Sequence, residues 1–240
     1  MFTPIRSSDP FMARLGLRQP DRLSAFGVTM ARKTPHDGKA TREALVQAAE
    51  RLFAEQGVEA PSVRSINAAA GLAPAAVHYH FGSKEGLLDA VVHRQGDAVV
   101  ARIVELAEEL LAAESVPSPL QLVETLGRPY VELLEREPVR GARWLSIAAQ
   151  LSLAHDKRFA PDESPATVPV QELVRRAFPD ADASARERAW ELAADTLMLM
   201  MSRWPAGAPG ADDPSAASSQ DTELLFAFIA GGLERALNRD

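Results

Sequence analysis

Leu72–Leu88 reads LAPAAVHYHFGSKEGLL, and it gathers groups that could do chemistry: His78, Tyr79, His80, Ser83 and Lys84. Three uses are conceivable: a metal site, a catalytic pair, or a surface that touches a partner. On a helix, residues two apart point about 200° from each other, so His78 and His80 cannot clamp one ion from the same helix. No carboxylate stands at ligand spacing, and the chain has no cysteine. A nucleophile with an orienting acid is equally absent from this stretch, which argues against catalysis.

A contact surface fits the spacing. Val77 and Phe81 are apolar at i and i+4 and face inward. Ala75, His78 and Tyr79 then lie outward. Small Ala75 and Ala76 allow close approach to a groove floor, and His78 and Tyr79 can exchange hydrogen bonds with base edges. His80, toward the edge of this face, suits a phosphate. Ser83 and Lys84 open the next helix, whose free N–H groups and added ammonium favour an anion.

The elements that must position these residues are helical. Leu45, Ala48, Ala49, Leu52 and Phe53 follow an amphipathic helical period from Thr41, and Gly57 ends it in the left-handed position. Ser62 caps a short helix with Val63, Ile66 and Ala70 inward, stopped by Gly71. Pro74 suits the first turn of a third helix running to His80. Ser83 caps a long fourth helix reaching Ala113. Two short helices across a tight glycine turn, behind a supporting one, make a helix-turn-helix. Further helices are expected at 118–136, 138–154, 167–178, 183–204 and 219–238, with no strand pattern.

The segment TREALVQAAERLFAEQGVEAPSVRSINAAAGLAPAAVHYHFGSKEGLLDAVV resembles the DNA-binding region of the TetR family of bacterial transcriptional regulators. The aromatic-Phe-x-Ser-Lys-Glu portion is its most specific part, and LLFAFIAGGLERAL resembles the final helix of many members. The resemblance implies that Arg64 reaches a base or phosphate, that Ala75, Ala76, His78 and Tyr79 read bases, and that Ser62, His80 and Lys84 hold phosphates. It further implies a homodimer that binds double-stranded operator DNA and a small-molecule effector. Two positions depart from the family's habit. Ala73 stands where a Ser/Thr cap is common, a loss of about 1 kcal/mol, and His78 stands where Tyr is common.

The expected fold is all-α: residues 1–36 an N-terminal extension, 37–83 a three-helix DNA-binding domain with the helix-turn-helix, and 84–240 a larger helical ligand-binding and dimerisation domain. Residues 1–36 show no periodicity and carry four prolines, which reads as a mobile tail; Met30 opens MARKTPHDGKATRE, an alternative start.

The net charge of −7 is unevenly spread: residues 1–94 hold 12 basic and 9 acidic side chains, a net of +3, and the rest carry −10. Screening limits charge effects to about 8–10 Å, so the front end decides phosphate binding. The cysteine count excludes disulfides and thiolate sites. No apolar run approaches the ~20 residues of a membrane span, and no secretory signal opens the chain, so a cytoplasmic protein without cofactor or metal is expected.

In the C-terminal half the resemblance implies an effector pocket within residues 84–200. The candidates are Tyr130, Trp144, Ile147, Gln150, Leu151, Trp190, Met198 and Met201, an apolar lining that suits a hydrophobic effector. Leu192, Leu199, Phe226, Ile229, Gly232 and Leu233 on the last two helices are the candidates for a two-fold four-helix interface; burial within one chain is their alternative. The expected function is a ligand-responsive regulator, a repressor released from its operator by the effector. The rivals are a DNA-binding protein without effector and, with no motif behind it, a helical enzyme.

Overall fold

The computed structural model describes residues 35–113, 115–159, 164–203 and 216–238. It divides into Met1–Gly38 and Lys39–Asp240, and the packing described here is that of the second unit. Residues 1–34 of the expected extension, Met30 among them, lie outside the described residues. All regular structure among those residues is helical.

Helix α1 spans Pro35–Gln56, six residues ahead of the expected Thr41 start, because proline's fixed φ suits a first helical turn. Gly57 ends it at φ 88°. Helix α2 is Val63–Ala69, and the Ser65 N–H donates to the Ser62 hydroxyl oxygen at 3.1 Å. Gly71, at φ 68°, turns the chain toward α3, Ala76–Phe81. Helix α4, Lys84–Ala112, is capped by Ser83, which accepts from Gly86 N–H at 3.1 Å. Helix α5, Pro119–Arg136, opens on a reciprocal capping box of Ser118 and Gln121. Pro138–Leu153 (α6), Thr167–Ala177 (α7), Ala183–Ser202 (α8) and Ala216–Leu237 (α9) follow.

Two apolar clusters hold these helices. The first joins Leu45 and Phe53 of α1, Ile66 of α2, Val77 of α3 and Leu87 and Val91 of α4. The second joins Ile103 of α4, Leu122 and Leu133 of α5, Leu145 of α6, Leu173 of α7, Leu197 of α8 and Phe226 of α9. Helix α6 serves both. Ile147 and Leu151 enter the first cluster, while Trp144, Leu145, Ala148 and Ala149 enter the second. Each large side chain so buried contributes about 1.5–3 kcal/mol, which fixes α6 to both sides at once.

Polar groups reinforce this joint. Gln150 accepts from Val58 N–H at 2.9 Å, and Trp144 Nε1–H donates to the Val92 carbonyl at 2.9 Å. The buried carboxylate of Glu50 faces Arg140 at 3.5 Å, Arg94 pairs with Glu43, and Gln95 donates to Glu137 at 3.0 Å. A buried charge is tolerated only when so paired.

Candidate nucleic-acid interface

The short helix α3 is positioned from beneath. Val77 is fully buried in the first cluster, which fixes the helix's rotation. Buried Asn67 of α2 fixes its height: its Nδ2–H donates to the Pro74 carbonyl at 2.7 Å, and its Oδ1 accepts from Val77 N–H at 3.1 Å. This side chain satisfies a first-turn N–H that Ala75, at the N-cap, has no side-chain oxygen to accept. Pro74 consequently lies in the turn, and α3 begins at Ala76 rather than at Pro74. Asn67 was missed in the sequence. Its signal was a polar residue four positions after Val63, on the inward face of α2.

The outer face carries the groups expected there. Ala75, His78 and Tyr79 are exposed, while Ala76 and His80 are half-buried. The Tyr79 and His80 rings meet edge to face with centroids 4.9 Å apart. Arg64 lies exposed on α2. Ser62, expected to hold a phosphate, uses its hydroxyl oxygen to cap α2. The Lys84 ammonium donates to the Glu59 carbonyl at 2.7 Å and stands 5.9 Å from the Phe53 ring centroid. It therefore ties the loop before α2 to the start of α4, with two N–H groups left for an anion. Arg42 of α1, a further cation missed in the sequence, sits over the Phe81 ring at 4.8 Å.

The eight expected effector residues do not share one space. Ile147 and Leu151 pack into the first cluster, and Gln150 bonds to the loop at Val58, so these three form the joint between helix-turn-helix and body. Tyr130, Trp144, Met198 and Met201 are buried in the second cluster, with Trp190 packed against its edge. The Tyr130 and Trp144 rings stack at 6.3 Å, and burial pushes the Tyr130 hydroxyl above its ordinary pKa. A separate groove of about 340 Å³ opens between α4 and α5, lined by Leu106, Glu109, Leu110, Ala113, Gln121, Glu124, Thr125 and Arg128.

The expected interface residues also divide. Phe226, Ile229 and Leu233 are core residues of a single chain, which corrects their assignment to a subunit interface. The cause is close packing of α9 on α5, where the Phe226 ring lies against Gly127 so tightly that a side chain at 127 would collide with it. Leu192 and Gly232 are exposed and Leu199 is half-buried. Leu224 and Phe228 are the large apolar side chains that α9 exposes among the described residues.

The fold and this face define an all-helical protein with an N-terminal helix-turn-helix. Residues 45–91 match the family model described as bacterial regulatory proteins, tetR family. Over this segment the chain is similar to the tetR family of bacterial regulatory proteins. Curated relatives include the HTH-type transcriptional regulator BetI of Rhizobium meliloti (strain 1021), 30% identical over 118 residues, 49% of this chain and 55% of that one. The HTH-type transcriptional repressor KstR2 of Mycolicibacterium smegmatis is 28% identical over 123 residues, 51% of this chain and 57% of that one. The chain thus spans little more than half the length of these relatives. Among solved structures, the ketosteroid transcriptional regulator KstR2 of Mycobacterium tuberculosis superposes with a TM-score of 0.54 at 23% identity, covering 80% of this chain and 93% of that one. SmeT, the repressor of the Stenotrophomonas maltophilia multidrug efflux pump SmeDEF, gives 0.53 at 20% identity, covering 85% and 93%. At such identities the likeness is one of fold.

Proposed function

We propose that the chain is a dimeric transcription regulator that binds a palindromic operator through α2 and α3 and is released from it by a small effector, acting as a repressor. The observation that carries this reading is α3 itself. It is a six-residue helix locked underneath by Val77 and Asn67, with His78 and Tyr79 exposed on its outer face. Residues 37–83 act as the DNA-binding domain, and 84–240 bind the effector and the second subunit. Leu192, Leu224, Phe228 and Gly232 are the residues we assign to the subunit contact.

The groove between α4 and α5 offers an effector both apolar walls and charged groups, Glu109, Glu124 and Arg128. Helix α4 runs unbroken from that groove to the helix-turn-helix, 29 residues, or about 43 Å at 1.5 Å per residue. Two reading helices must sit about 34–36 Å apart to enter successive major grooves. A ligand that prefers α4 tilted away from α5 therefore lowers DNA affinity by its preference between the two states. The filled second cluster favours one other reading, a DNA-binding regulator without effector.

Recovering and sequencing the genomic fragments that the purified chain retains tests the proposal. A shared inverted repeat is expected, together with metabolites or drugs that dissociate the complex. Fragments without common sequence would overturn the regulator reading. A specific operator that no small molecule releases would favour the constitutive one.

A further inference from the structure

His78 closes the end of α3 in both directions. Its backbone carbonyl accepts from Gly82 N–H at 3.1 Å, and its ring Nδ1 lies 3.0 Å from the Gly82 carbonyl oxygen. A carbonyl oxygen can only accept, so Nδ1 carries the hydrogen. The neutral ring then has Nε2 as a bare acceptor, on the opposite side of the ring from Gly82 and on an exposed side chain. An acceptor repels phosphate oxygens. It also repels the major-groove edges of guanine and thymine at their N7, O6 and O4 atoms. It matches only the exocyclic amino groups, N6 of adenine and N4 of cytosine.

We propose that His78 is a specificity-determining residue that selects an amino-bearing base, adenine or cytosine, at one position of each operator half-site. This rests on the regulator reading above and adds to it the chemistry of the base. Gly82, at φ 77°, holds its carbonyl where the imidazole reaches it. The ring is therefore oriented before DNA arrives, and less side-chain freedom is lost in reading.

The test is selection from a random duplex pool at about pH 8.5, where imidazoles are generally neutral, with the wild-type chain and His78→Phe. Circular dichroism establishes that the variant remains folded. The wild type is expected to enrich adenine or cytosine at one position per half-site, and His78→Phe to leave that position degenerate while the rest of the site persists. A second arm needs no protein variant. It replaces the selected adenine by purine, or the selected cytosine by 2-pyrimidinone, deleting only the amino group. Wild-type affinity should fall about ten-fold, and the substitution that has this effect identifies which base is read.

Three results would overturn the proposal: an unchanged preference in His78→Phe, no cost from deleting the amino group, or a uniform loss on all sequences with a shallower salt dependence. The last would make His78 a phosphate contact. In all three the regulator reading stands; a wild-type chain that enriches no sequence would bring down that reading as well.

Discussion

Tyr79 on α3 and Phe228 on α9 are both exposed aromatic side chains, at 79% and 74%. Their surroundings differ in kind. Tyr79 stands with His78 and His80, close in sequence to Lys84 at the start of α4. Phe228 shares α9 with exposed Leu224, Gly231 and Gly232. The first face can exchange hydrogen bonds at the tips of its rings, which suits a wet, polar groove. The second offers apolar area and small residues, and only a partner that is itself apolar gains by covering it. Exposure alone assigns neither role; the hydrogen-bonding capacity of the neighbours does.

The contrast can be broken most sharply within α9. Phe226 and Phe228 lie two apart, so they point about 200° from each other. Phe226 is 1% exposed and packs against α5. Phe226→Ala should cost about 3–5 kcal/mol in urea unfolding. Phe228→Asp should leave helicity intact and turn the proposed dimer into monomer by light scattering. Equal effects of the two on chain stability would erase the distinction between core face and contact face.

On the α3 side, Asn67→Ala strands the Val77 N–H and the Pro74 carbonyl, and should cost about 2–3 kcal/mol. Asn67→Asp keeps the acceptor for Val77 but sets a buried carboxylate oxygen against the Pro74 carbonyl, and should cost at least as much. A neutral outcome for both would mean that Val77 alone holds the reading helix. Lys84→Met removes the bond to the Glu59 carbonyl, worth about 1–2 kcal/mol. If its remaining donors meet a phosphate, the slope of DNA affinity against salt should also flatten by about one unit.

The smallest effect is expected in the second cluster. Burial raises the Tyr130 pKa above its unfolded value of about 10. The hydroxyl therefore resists ionisation only in the folded chain, and its contribution to stability is complete below about pH 10 and lost as the pH rises beyond. Tyr130→Phe should flatten the alkaline fall of the urea midpoint. An unchanged fall would show that other groups cause it.

The α3 side was legible in the sequence because its signals are local. Ser62 and Ser83 cap, and Gly57 and Gly71 turn, using atoms within a few residues. Asn67 was not legible, because its partners lie across the turn. In α6 the period identifies the apolar side chains but not which cluster each one meets; Ile147 and Leu151 proved to serve the helix-turn-helix and Trp144 the body. Helix α9 carries apolar residues around much of its circumference. Periodicity there cannot separate the inward Phe226, Ile229 and Leu233 from the outward Leu224 and Phe228.

The central claim is that two copies of the α3 face enter successive major grooves. Methylation interference on a recovered fragment tests this directly, because guanine N7 lies in the major groove. The account predicts interference in two clusters about 10 base pairs apart on one side of the duplex. Both clusters should vanish with Asn67→Ala and weaken together with Phe228→Asp. Interference spread evenly along the fragment, or confined to minor-groove adenine N3, would contradict it.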